Sequence, residues 1–113
     1  MPVKHIVMFR LKAEATPADH QAIQDALLAL PNICGVKVLH YECGSDLRLP
    51  AGQSHPLGPN RHIVWSVTTA TVDDYNTYNT SEAHTAFLAK LKPLLEPGSR
   101  AAIQYEIPWS QLQ

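Results

Sequence analysis

Only two cysteines, Cys34 and Cys43, occur in the 113 residues, and neither lies in a Cys-x-x-Cys pair or near a histidine at zinc-finger spacing. A disulfide framework or structural zinc site therefore has no basis, and both thiols read as small, buried or half-buried side chains of a reducing cytosol. Basic charge is also scarce. Lys and Arg number 9 against 10 Asp and Glu, for a formal charge of -1, and no basic run is present to neutralise a row of phosphates, so nucleic acid is not an expected partner. Long hydrophobic runs are missing as well. The opening stretch Met1 to Arg10 is too short and too interrupted by charge for a signal-peptide core or a membrane span. The expectation is a mature cytoplasmic protein with no membrane partner. A chain of this length holds one sizeable core and not two, so residues 1–113 are read as a single domain.

What is present is periodic. Residues 3–12 alternate Val3, His5, Val7, Phe9 and Leu11 with Lys4, Ile6, Met8, Arg10 and Lys12, a strand whose middle is apolar on both faces. Thr16 then stands as an N-cap, with Pro17 in the first helical position and Asp19 in the first turn. Ala22, Ile23, Ala26, Leu27 and Leu30 form one stripe, predicting an amphipathic helix that ends near Pro31. After Gly35, residues 36–43 are rich enough in β-branched and aromatic residues for a second strand. Residues 44–60 contain six Pro and Gly and no sustained period, so they read as a long surface loop, either a lid or arm or a tolerated insertion.

Strand character resumes over residues 61–70, with His62, Val64, Ser66 and Thr68 opposite Ile63, Trp65 and Val67. From Val72 to about Tyr78 the pattern is helical, and Thr80 or Ser81 caps a following helix with Glu82 at its positive end. Ala83, Phe87, Leu91 and Leu94, with Leu88 and Leu95 beside them, mark its buried side, and Pro97-Gly98 stops it. Residues 101–107 give a fourth strand before a short tail containing Trp109. The order β-α-β-β-α-β predicts a ferredoxin-like α+β fold with a four-stranded antiparallel sheet and helices on one face. If His5 and His62 look towards those helices, Ile6, Met8, Ile63, Trp65 and Val67 lie on the other face. Exposing such a patch costs about 25 cal/mol per Å², so a homodimer through the sheet face is expected.

Three histidines then stand where they can converge, His5 in the first strand, His62 at the third and His84 in the last long helix. Tyr78 lies six residues before His84, across the helix break, where its phenol can meet the imidazole. No HxH or HExxH spacing or nearby carboxylate supports a metal, and none is expected.

The runs Val3-Lys4-His5-Ile6-Val7-Met8-Phe9-Arg10-Leu11-Lys12, Arg61-His62-Ile63-Val64 and Tyr78-Asn79-Thr80-Ser81-Glu82-Ala83-His84 together resemble the stress-responsive A/B barrel proteins, the dimeric α/β-barrel or Dabb family, from Val3 to Ile107. The resemblance implies a ferredoxin-like protomer and a sheet-to-sheet dimer. Within that family the chain is similar to cyclases of the olivetolic acid cyclase type, which close a linear polyketide by aldol condensation. That similarity implies His84 as base, Tyr78 as oxyanion donor, His5 and His62 as substrate-binding groups, a polyketide-like small-molecule substrate and no cofactor. Two departures stand out. The family often has His-Pro-Ala-His where this chain has Ser81-Glu82-Ala83-His84, and residues 44–60 exceed the family's usual connection.

The chemistry suits these residue types. Aldol closure needs a base to take a proton next to a carbonyl and a donor to stabilise the oxyanion. Two other readings stand beside the cyclase: a non-catalytic stress-responsive barrel whose histidines are structural, and a cofactor-free or haem-using monooxygenase on the same fold, disfavoured because Trp65 is assigned to the dimer face.

Overall fold

A computed structural model describes residues 1–52, 60–108 and 110. Its strands are β1 (Val3–Phe9), β2 (Val38–Ser45), β3 (Ile63–Thr69) and β4 (Ala101–Glu106), and its helices α1 (Pro17–Ile33), α2 (Val72–Thr80) and α3 (Glu82–Leu91). The strands form one antiparallel sheet in the order β2-β3-β1-β4. This is the expected ferredoxin-like topology, with its second helical segment divided at Ser81.

Helix α1 begins as its sequence requires. The Thr16 hydroxyl accepts from the Asp19 N–H and the Asp19 carboxylate accepts from the Thr16 N–H, at 3.1 and 2.9 Å, a reciprocal capping box ahead of Pro17. Its end differs from expectation, because the helix runs through Pro31 to Ile33. Pro31 has no N–H to give the Leu27 carbonyl. The Tyr41 phenol of β2 donates to that carbonyl instead, at 2.6 Å, so the helix continues without an orphaned acceptor. Gly35, at φ 75°, then supplies the left-handed residue that turns the chain towards β2.

Helix α3 also departs from expectation, ending at Leu91 rather than at Pro97-Gly98. Leu94 and Leu95 follow in a turn that accepts from the Lys12 N–H through the Leu94 carbonyl and bridges Leu95 to Leu11. Pro97-Gly98 instead shapes the turn into β4, where the Ser99 hydroxyl donates to the Glu96 carbonyl at 2.7 Å and accepts from the Arg10 N–H at 3.1 Å. The unbroken Leu pattern concealed this turn, since its apolar side chains continue to pack on the core.

The larger correction concerns the faces of β3. In the β1–β3 register His5 lies opposite Val67, Val7 opposite Trp65 and Phe9 opposite Ile63. Paired residues share a face, so Ile63, Trp65 and Val67 point with His5 into the helix-covered core, where all three are buried. They are not on the open face. That face carries Ile6 and Met8, as expected, together with Val64, Ile103 and Tyr105. Residues 53–59 of the long loop, and Trp109, fall outside the described residues.

Tyr41→Phe should strand the Leu27 carbonyl and lower stability by about 1–2 kcal/mol. Urea unfolding checks this, and an unchanged midpoint would contradict the role given to the phenol.

Candidate active site

Five aromatic side chains meet between the sheet and the α2–α3 junction. His5 comes from β1, Trp65 from β3, Tyr75 and Tyr78 from α2, and His84 from the first turn of α3. The Tyr78 and His84 ring centroids are 5.0 Å apart, His5 and Tyr75 5.2 Å, and His5 and Trp65 6.3 Å. His5, Trp65, Tyr78 and His84 are all at least 96% buried. Nevertheless Tyr78 Oη, Trp65 Nε1, His5 Nδ1 and His84 Nδ1 make no hydrogen bond of normal geometry, although the Trp65 indole N–H lies near enough to the Tyr78 hydroxyl to act on it. Each such atom costs about 1–3 kcal/mol when buried without a partner, and four gathered in one place mark a group of polar atoms poised for something other than packing.

Ser81 fixes the central pair. Its hydroxyl donates to the Tyr78 carbonyl at 2.8 Å and accepts from the His84 N–H at 3.1 Å, ending α2 and capping α3 with one side chain. Ser81 is thus a residue suited to holding this junction. The electrostatics keep the groups neutral. Burial, then the positive charge of Arg100 and the neighbouring His84, pull His5 down to about 4. His84 is lowered by burial and by Arg100, against the opposing Asn79 backbone. Burial raises the Tyr78 phenol, with the nearby Trp65 indole N–H partly opposing it. Near neutral pH the cluster therefore presents unprotonated imidazole nitrogens beside a protonated phenol.

His62 is not part of this group. It precedes Ile63, which pairs with Phe9, whereas His5 pairs with Val67; the offset is five residues along the strand, roughly 16 Å at about 3.3 Å per residue. His62 instead lies 6.2 Å from His20, centroid to centroid. Three participants escaped the sequence reading, Tyr75, Trp65 and Arg100. Trp65 belongs with His5, as the greater apolarity of the Ile63-Trp65-Val67 alternation signalled. Arg100, which acts electrostatically on His5, Tyr75 and His84, left no sequence signal. The surface depressions of about 590, 340 and 230 Å³ are lined by other residues. Among the described residues no three or more His, Cys, Asp or Glu are grouped so as to hold a metal ion, and no helix is long and apolar enough to cross a membrane.

Residues 3–107 match the model of the stress responsive A/B barrel domain. A dimeric ferredoxin-like protein of unknown function from Thermobifida fusca is 28% identical, with 95% of this chain and 92% of that one covered and a TM-score of 0.78. A Dabb family protein with a ferredoxin-like fold from Mesorhizobium loti is 25% identical, with 95% and 97% covered and a TM-score of 0.71. The hydroxynitrile lyase of Passiflora edulis shares the fold at a TM-score of 0.79 and 23% identity, over 96% of this chain and 94% of that one. No curated protein sequence matches the chain.

The neutral histidines make stability depend on pH. The unfolded chain protonates His5 below about 6.5, while the folded protein holds it neutral to about 4. This contribution is complete above pH 6.5 and is lost as the pH falls through that window. His84 and His62 act in the same direction. Thermal melts between about pH 7 and pH 4.5 should show a progressive decline that His5→Gln, neutral throughout, makes shallower. Identical slopes for the two proteins would contradict it.

Proposed function

The chain belongs to the stress-responsive A/B barrel domain family, and within that family we propose that it is a small cofactor-independent cyclase or lyase closing a polycarbonyl, polyketide-like substrate by aldol-type chemistry. The observation that carries this reading is the convergence of Tyr78 Oη, His84 Nδ1, Trp65 Nε1 and His5 Nδ1, all buried and all unpartnered. In the proposed reaction the neutral His84 removes a proton from a carbon flanked by carbonyls. The enolate oxygen accepts from the Tyr78 hydroxyl, and the Trp65 N–H is a second donor to it. The enolate carbon then attacks a distal carbonyl, forming one carbon–carbon bond, and the new alkoxide takes its proton from the His84 imidazolium. His5 orients a carbonyl or hydroxyl group. Because the cluster is buried, a substrate reaches it only if a side chain moves aside, and the proposal assigns that movement to the half-buried Tyr75 beside His5.

His62 has no place in this mechanism, since it stands at the other end of β3. The lyase chemistry of the Passiflora edulis protein is compatible with acid–base work on this fold. One observation favours a second reading as well. Trp65 lies inside the cluster, not on an interface, which removes the ground for setting aside a monooxygenase that takes a flat aromatic substrate. Oxygen consumption with a quinol would favour that reading.

The proposal includes a homodimer through the open sheet face. Met8, Ile103 and Tyr105 there are 40%, 59% and 43% exposed, and Ile6 and Val64 lie between them in the register. The related Thermobifida fusca protein is dimeric. A second copy would cover this apolar surface, as the barrel architecture requires.

Two experiments follow. With a β-polycarbonyl substrate, His84→Ala should remove most turnover, and Tyr78→Phe, which deletes one oxygen, should lower kcat by about 10²-fold, the usual cost of an oxyanion donor. Wild-type turnover in both, or lowered melting temperatures as the sole effect, would return the cluster to a structural role. Separately, Ile103→Asp would bury an unpaired charge in the dimer and should give monomers in analytical ultracentrifugation. A soluble, fully dimeric variant would refute the face assignment.

A further inference from the structure

The end of the sheet that holds His62 forms a second site. Backbone hydrogen bonds anchor His62 between two strand ends: its N–H donates to the Phe9 carbonyl at 3.0 Å, and its carbonyl accepts from the Asp46 N–H at 2.8 Å. Beside it opens a depression of about 590 Å³ whose lining includes Arg10, Asp46, Arg61 and His62, together with Met8 and Val64, which puts it at the edge of the sheet face assigned to the dimer. His62 Nδ1 is buried and has no hydrogen-bond partner. We propose that this depression binds a small oxyanion, a carboxylate or phosphate group, held by Arg61 and His62 and attracted by Arg48.

The charges favour that sign of ligand. Among the described residues, Arg10, Arg48, Arg61, His20, Asp46 and Glu96 are the titratable or charged groups around His62. Three arginines thus face two carboxylates. Glu96 is engaged by the Arg10 guanidinium, and the Asp46 carboxylate accepts from the Arg48 N–H at 3.2 Å. Arg61 spends its Nε–H on the Ser99 carbonyl, at 2.7 Å, which fixes the guanidinium at the cavity wall and leaves its terminal N–H donors for a ligand. Burial and the positive charges of Arg48, His20 and Arg10 lower His62, outweighing Glu96. An oxyanion in the depression would oppose that field, and the His62 ring, once protonated, would donate to it. Arg48, two residues beyond Asp46 of the lining, is held at φ 56°, the one positive φ among the described residues other than glycine.

This site owes nothing to the cyclase reading, and its test is separate. Histidine ring resonances of the full-length protein are followed by NMR against pH, with inorganic phosphate in one arm and benzoate in the other. The proposal expects His62 to titrate higher when either anion is present, while His5 does not move. A response to phosphate alone identifies a phosphate site, and one to benzoate alone identifies a carboxylate on an apolar body; both support it. Arg61→Gln should weaken binding by about tenfold, the scale of one charge-assisted hydrogen bond. Arg48→Gln, on an exposed residue outside the Ser99 contact, should act in the same direction even if the Arg61 variant fails to fold. His84→Ala should bind as wild type does. No change at His62 with either anion at tens of millimolar, or binding indifferent to the Arg48 variant, would overturn the proposal.

Discussion

The register between β1 and β3 governs the rest of the molecule. With Val7 opposite Trp65 and His5 opposite Val67, the indole, the histidine and the apolar residues of both central strands enter the core together. The same pairing holds His62 beside Phe9 and Arg10, at the far end. A slip of one residue would send Trp65 to the open face and bring Val64 inside. The deep burial of Ile63, Trp65 and Val67 stabilises the observed pairing over that alternative. One pairing therefore yields two polar sites, separated along a single strand.

The second governing contact is local. Ser81 ends one helix and begins the next, so Tyr78, in the last turn of α2, and His84, in the first turn of α3, face each other across a joint. A continuous helix would place residues six apart about 600° around its axis, and so on different faces. The break brings the rings to 5.0 Å. Ser81 holds that geometry with one hydroxyl acting as both donor and acceptor. Burial then sets the protonation states, opposing charge on His5 and His84 and opposing proton loss from Tyr78.

Much of this was legible in the sequence. The alternation of residues 3–12, the Thr16-Pro17 cap, the break near Ser81 and the order of elements all led to the observed topology. So did the nearness of Tyr78 to His84, which depends on local chain geometry. What failed was the long-range face assignment. Placing His62 with His5 forced Trp65 outward, although the Ile63-Trp65-Val67 alternation was the more apolar and by burial alone belonged inside. Pro31 misled for another reason. Its cost to the helix depends on a distant partner, the Tyr41 hydroxyl, which no local pattern shows. Arg100 was likewise invisible, since its influence on His5 and His84 comes through tertiary contact.

Four unsatisfied polar atoms in a core of this size require a reason, and a ligand that pairs with them supplies one. The direct check is a crystal structure of the full-length protein with a bound 1,3-dicarbonyl analogue of the enolate. The ligand's oxygen should lie about 3 Å from Tyr78 Oη, within hydrogen-bonding range, with His84 beside its acidic carbon and Tyr75 displaced. An analogue found only elsewhere, with the Tyr78–His84 pair still closed and unchanged, would contradict the reading of this cluster as a place for chemistry.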